Sequence, residues 1–277
     1  MSTSDALITF IGGGNMARSM IGGLLHAGHA GERILVSEPD AGARERLQAL
    51  GPVQTTDDNA HAVAEADLVI LAVKPQVMHA VVTPLAPVLA ARATPPVLMS
   101  IAAGITLSML ARWAGPLPIV RCMPNTPALV GAGMSGLCAN DAVDDAGRAL
   151  ATKAMEAAGE VVWVEDEALI DAVIAASGSG PAYFFRVMEA MIEGAMELGL
   201  PESTARALVL QTALGAARMA IESGTPPAEL RRQVTSPGGT TEAALATFAE
   251  GDLGGWVVRG MRSAAARADA LARELDQ

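Results

Sequence analysis

The chain has 277 residues, enough for one large or two medium domains with cores of their own. It is 51% hydrophobic but only 3% aromatic, so the core is expected to be aliphatic and its alanine-rich helices closely packed. With 30 acidic residues against 19 basic, the net charge of −11 argues against nucleic acid or an anionic membrane as partner. An anionic ligand would have to be held by local dipoles instead of the global field.

Two cysteines, Cys122 and Cys138, make no disulfide framework. The four histidines all lie in the first third, and no Cys/His spacing resembles a metal site, so no metal is expected. No basic segment followed by an apolar run opens the sequence, and no stretch is apolar enough to span a bilayer. The expectation is a soluble, cytoplasmic protein.

The first half alternates strand and helix. ALITFIGGG (6–14) is a short apolar run ending in glycines, and NMARSMIGGLLHAG (15–28) reads as a helix stopped by Gly28. RILVSE (33–38) is a second strand, followed by a helix over 40–51 with Asp40 as N-cap. DLVILAVKP (67–75), PPVLMSIAAG (95–104) and LPIVRCMP (117–124) are apolar runs of the kind buried on both faces. This alternation predicts a mostly parallel sheet with right-handed crossovers.

Within that frame Gly12, Gly13, Gly14, Asn15, Met16 and Ala17 read as G-x-G-x-x-A between a strand and a helix, which predicts dinucleotide binding. Gly12 would make the turn and Gly14 the close approach to a pyrophosphate, while Ala17 permits helix–sheet packing. At the end of the second strand, Glu38 favours the ribose hydroxyls of NAD. Ser37 and Arg44 would instead suit the 2′-phosphate of NADP, so the choice between NADH and NADPH stays open. Later strand ends should meet the nicotinamide: 73–75, 102–104 and 123–127. Cys122 reads as a small core residue.

From about Glu165 no strand pattern appears. The expected division is a nucleotide-binding domain over 1–164 and an all-α domain over 165–277. SGSG (177–180) and Pro181 introduce a helix running to Gly199, with Glu189, Glu193 and Glu197 as its one polar stripe. So much apolar helix in so little chain predicts a dimer. This half has no histidine, cysteine or lysine, and Val187 stands where a Tyr183-x-x-x-Lys dyad needs lysine. An alcohol dehydrogenase needs such a base, whereas an imine is basic enough to be reduced with little help beyond orientation. Ser236, Thr240 and Thr241, around Pro237, Gly238 and Gly239, then form an anion site at a helix start, suited to a small carboxylate.

FIGGGNMA (10–17), AVKP (72–75), SIAAG (100–104), RCMPNTPA (121–128), SGSGPAY (177–183) and TSPGGTTEAAL (235–245) appear in order. By these segments the chain resembles the pyrroline-5-carboxylate reductases, which make proline from its cyclic imine precursor. The resemblance implies a Rossmann domain, a helical dimerisation domain and hydride transfer from NADPH or NADH to the imine carbon of 1-pyrroline-5-carboxylate. It assigns Ser236, Gly239, Thr240 and Thr241 to the substrate carboxylate, with Thr241 also beside the imine nitrogen as the catalytic hydrogen-bond partner. It assigns Asn59 to the adenosine end of the cofactor, Ala72, Val73, Lys74 and Pro75 to the nicotinamide side, and Ala102 and Asn125 near it. It further implies a homodimer completed by the partner's helices, or a decamer of five dimers. Glu38 departs from the residues that suit NADPH, and Gln233 stands where some relatives have asparagine. Two rivals keep part of this pattern. A reductase of another small imine or ketone would need a different anion loop, and a dinucleotide-binding module without activity would lose that loop.

Overall fold

The computed structural model describes residues 5–276. They form two compact units. The first runs to Ser179 and takes back the chain from Ala264 onward; the second spans Gly180–Ser263. The first unit thus continues past residue 164, where the strand pattern of the sequence ends.

The first unit is built on one sheet of eight strands: β1 (Ile8–Ile11), β2 (Ile34–Ser37), β3 (Gln54–Thr56), β4 (Leu68–Leu71), β5 (Val97–Ser100), β6 (Ile119–Met123), β7 (Gly133–Ala139) and β8 (Gly159–Trp163). Their order across the sheet is β3-β2-β1-β4-β5-β6-β7-β8. The first six are parallel, β7 runs antiparallel to β6, and β8 is parallel to β7. The five apolar runs expected as strands are strands. β1, β2, β4 and β5 are buried at every position, as a sheet covered on both faces requires.

Helices α1 (Asn15–His26), α2 (Ala41–Gln48), α3 (Asn59–Val63), α4 (Met78–Val82), α5 (Ala86–Ala90), α6 (Leu107–Ala114) and α7 (Asp145–Glu156) fill the connections. One buried cluster joins the strands to Ala17, Met20, Ile21 and Leu24 of α1 and to Ala151, Ala154 and Met155 of α7. The other joins them to Val63, Met78, Val82, Leu89 and Leu110 of α3 to α6. Asp40 caps α2 as expected, its carboxylate accepting from the Ala43 amide at 2.7 Å. α1 ends at His26, two residues before Gly28, whose φ of +84° turns the chain away.

Helix α8 (Leu169–Val173) closes the unit and passes into a π-helical turn, Ile174–Gly178. It is anchored through Arg121 of β6, which is 5% exposed. The Arg121 guanidinium donates to Glu167 at 2.9 Å, and the same carboxylate oxygen accepts from the Leu107 amide at 2.9 Å. A buried arginine needs such partners, because an unpaired charge there is costly. SGSG straddles the junction: Ser177 and Gly178 end the π-helical turn, Ser179 is a bend, and Gly180 starts the next helix.

The second unit contains α9 (Gly180–Glu197), α10 (Glu202–Ser223), α11 (Pro227–Gln233), α12 (Thr240–Glu250) and the start of α13 (Leu253–Leu275). Pro181 sits in the first turn of α9, and Gly199 follows its end with φ +97°. Along the polar stripe, Arg186 pairs with Glu189 at 2.8 Å and lies 3.9 Å from Glu193. The apolar faces of this unit are open in the single chain: Phe184 is 68% exposed, Ile221 80% and Trp256 65%. Among the described residues no helix is long and apolar enough to cross a membrane.

Candidate active site

Parallel registry brings the carboxyl ends of the central strands level. Ile11 pairs with Ser37 on one side and Leu71 on the other, Leu71 with Ser100, and Ser100 with Arg121. The strand order reverses between β1 and β4, the place where open sheets of this kind leave a crevice for a ligand.

Gly12 lies at that reversal. Its φ is +98°, its amide donates to the Ser37 carbonyl at 2.8 Å, and a Cβ there would stand 2.8 Å from the Ala72 carbonyl oxygen. Only glycine fits. Gly13 is close-packed in a softer way, since a Cβ there would meet the end of the Leu47 side chain at 2.6 Å. Gly14 is the reverse case: it is exposed, it is the N-cap of α1, and a Cβ there would touch nothing within 4 Å. No side chain caps α1. Its first amides, at Asn15, Met16 and Ala17, therefore have no side-chain cap and no partner within the helix, and they carry the positive end of the helix dipole. A dinucleotide pyrophosphate fits that cradle.

The other predicted cofactor residues fall around it. Glu38 follows β2; its carboxylate accepts from the Gly13 amide at 2.8 Å and from the Asp40 amide at 3.0 Å. Ser37 is 1% exposed and donates to Asn59 Oδ1 at 2.6 Å, which commits the Ser37 hydroxyl and leaves the Asn59 amide nitrogen to donate elsewhere. Ala72, Val73, Lys74 and Pro75 follow β4, with Lys74 exposed and Ala72 and Val73 against Gly12. Ala102, 8% exposed, follows β5. Asn125, 9% exposed, follows β6 and is fully engaged. Its amide nitrogen donates to the Ser177 carbonyl at 3.1 Å, and its oxygen accepts from the Met134 amide at 2.9 Å. Asn125 thus ties the end of β6 to β7 and to the π-helical turn, a role the spacing of its two flanking prolines does not reveal. Burial pushes the Cys122 thiol far up, so it stays protonated and inert, as its reading as a core residue implies.

In the second unit, residues 235–241 make a defined turn. The Gly239 amide donates to the Ser236 carbonyl at 3.0 Å, with Pro237 and Gly238 between and Gly238 at φ +70°. Proline then glycine at the two central positions is the pattern of a type II turn. The Gly238 amide donates to the Glu242 carboxylate at 2.7 Å. The glycine amides expected to bind an anion are therefore already paired, and proline has none. The unpaired donors lie one step later, at the start of α12, where Gly239 is the N-cap and no side chain caps the helix. They are the amides of Thr240, Thr241 and Glu242, flanked by the two threonine hydroxyls. Glu242 was not anticipated, although a glutamate at the third helical position is a sequence sign of a reciprocal cap. The Tyr183 hydroxyl is buried with no hydrogen-bond partner. Among the described residues no group of three or more His, Cys, Asp or Glu side chains is placed to hold a metal.

Two family models match the chain: pyrroline-5-carboxylate reductase dimerisation over residues 167–271, and NADP oxidoreductase, coenzyme F420-dependent, over residues 7–104. A pyrroline-5-carboxylate reductase of Pseudomonas aeruginosa is 49% identical over 275 residues, covering 99% of this chain and 100% of that protein. Among solved structures, a pyrroline-5-carboxylate reductase of Coxiella burnetii is 42% identical, with a TM-score of 0.93 over 96% of this chain and 98% of that one. The Plasmodium falciparum enzyme, solved with NADP bound, is 26% identical, with a TM-score of 0.84 over 97% and 99% of the two chains. With nucleotide cradle, helical unit and full-length relatives in agreement, this chain belongs to the pyrroline-5-carboxylate reductase family.

Proposed function

We propose that the chain reduces 1-pyrroline-5-carboxylate to L-proline with NADH or NADPH. The bound reduced nicotinamide supplies the hydride, which adds to the carbon of the C=N bond, while a proton goes to the nitrogen. The observation that carries the substrate reading is the start of α12, which no side chain caps and whose first three amides, two of them on threonines, have no partner within the helix. A small carboxylate is the chemistry they suit. In this reading Ser236, Thr240 and Thr241 seat the carboxylate, Gly239, its amide taken by the Ser236 carbonyl, shapes the turn that presents them, and the Thr241 hydroxyl holds the imine nitrogen and relays its proton. Gly12 to Ala17 hold the pyrophosphate, Asn59 and Glu38 border the adenosine, and Ala72 to Pro75 with Ala102 wall the nicotinamide side. Asn125 fixes the backbone behind them.

The helical half offers no histidine, cysteine or lysine, which suits a substrate that needs orientation more than a strong base. The open apolar faces of α9, α10 and α13 support a homodimer. A decamer of five dimers and a cytoplasmic location in proline biosynthesis are the finer parts of the same reading. Loss of reduced-nicotinamide absorbance with pyrroline-5-carboxylate tests it, with NADH and NADPH in parallel. Turnover with either is the expected result; none from a folded, nucleotide-binding protein would transfer the chain to a different imine.

A further inference from the structure

The end of β2 decides which nicotinamide dinucleotide fits, and its geometry is one-sided. The Glu38 carboxylate is held by two backbone amides, those of Gly13 and Asp40, at 2.8 and 3.0 Å. It bridges the glycine turn and the entry to α2, so it does not swing aside for a ligand. An ionised carboxylate has about four acceptor positions, so two amides leave room for ribose hydroxyls to donate as well.

The groups that would favour a 2′-phosphate are tied, wholly or in part, to the chain itself. Ser37 is buried and its hydroxyl donates to Asn59 at 2.6 Å. Arg44 is folded back on the chain, donating to the Glu38 and Pro39 carbonyls at 2.7 and 2.9 Å. Arg46 lies 3.7 Å from Asp40. The neighbouring strand β3, paired to β2 through Ser37 and Thr56, is followed by two more carboxylates, Asp57 and Asp58. A phosphate dianion at this rim meets a fixed carboxylate, two further carboxylates on the next strand end, and a Ser37 hydroxyl already given to Asn59.

We infer that Glu38 makes the chain select NADH over NADPH, by accepting from the adenosine ribose and repelling a 2′-phosphate. The inference rests on the reading that the glycine turn binds a nicotinamide dinucleotide. It departs from the NADP named for the matching nucleotide-binding family and for the Plasmodium falciparum relative.

Equilibrium binding of NADH and NADPH without substrate, followed by nicotinamide fluorescence, tests it. The wild-type chain is compared with Glu38→Gln, which removes the charge and keeps one amide acceptor, and with Arg44→Ala. Thermal melting checks that each variant is folded. The wild type is expected to bind NADH at least about tenfold more tightly than NADPH. Glu38→Gln should close most of that gap by strengthening NADPH, and Arg44→Ala should not reverse the order. Equal or tighter NADPH binding by the wild type would overturn the inference, as would an unchanged ratio in a folded Glu38→Gln. If neither nucleotide binds the wild type, the dinucleotide reading itself falls and takes the inference with it.

Discussion

The Gly238 amide donates to the Glu242 carboxylate at 2.7 Å, so the loop that opens α12 is braced by the third residue of its own helix. This bond braces the turn over residues 236–239, which the Gly239 amide closes on the Ser236 carbonyl, and leaves the Thr240, Thr241 and Glu242 amides as the open donors. Glu242→Ala should therefore release the turn. We expect a stability loss of about 1 kcal/mol, typical of a lost helix cap. We also expect a higher KM for pyrroline-5-carboxylate with the nucleotide KM unchanged. Thermal melting and steady-state kinetics on the same preparation read both. A fall in kcat with KM constant would place Glu242 in the chemistry and not in the loop.

Thr241 and Ser236 should separate in kinetics. A hydroxyl that holds the imine nitrogen matters most as hydride arrives, so Thr241→Ala should lower kcat by about tenfold to a hundredfold with nucleotide binding intact. In the proposed reading Ser236 touches the carboxylate equally in the bound substrate and in the transition state, so Ser236→Ala should raise KM and leave kcat unchanged. Unchanged turnover in Thr241→Ala would leave water as the proton source.

The five apolar strands and the glycine turn were legible because burial on both faces leaves a run that nothing else in the sequence imitates. β3 was not, being three polar residues, QTT, at one edge of the sheet. β7, GMSGLCA, hides behind its glycines, and β8 is half exposed at the opposite edge. The site was legible as a place but not as a wiring diagram. Sequence located the hydroxyls and glycines of residues 235–241; which amides stay free depends on the turn that Pro237 and Gly238 impose. Asn125 shows the same limit, since its two partners come from 9 and 52 residues away.

Two adjacent glycines in α1 should answer oppositely to alanine. At Gly22 a Cβ would meet nothing within 4 Å, so Gly22→Ala should stabilise by about 0.5–1 kcal/mol through helix propensity. At Gly23 a Cβ would run into the carbonyl of Ala157, in the turn after α7. Backbone does not yield cheaply, so Gly23→Ala should push α1 off the sheet. Because the same helix carries the uncapped amides of the nucleotide cradle, that variant should lose both melting temperature and NADH affinity. Urea denaturation together with nucleotide titration checks the pair; equal behaviour of the two variants would mean that α1 does not pack as described.

His29 gives the fold an acid-sensitive point outside the site. It is 5% exposed, and burial, the leading cause, lowers its pKa from 6.5, aided by the charges of Lys153 and Arg33 and opposed by backbone contacts at Arg33 and Ala6. The folded state thus prefers the neutral ring. Above 6.5 both states are neutral and the residue contributes no pH dependence. As pH falls through 6.5 the unfolded chain takes up the proton first, so stability declines until the folded-state pKa is passed. Denaturation midpoints between about pH 5 and pH 8 should show this decline in the wild type. His29→Gln should flatten it, whatever its cost at neutral pH. A slope that persists unchanged in the variant would assign the acid sensitivity to other groups.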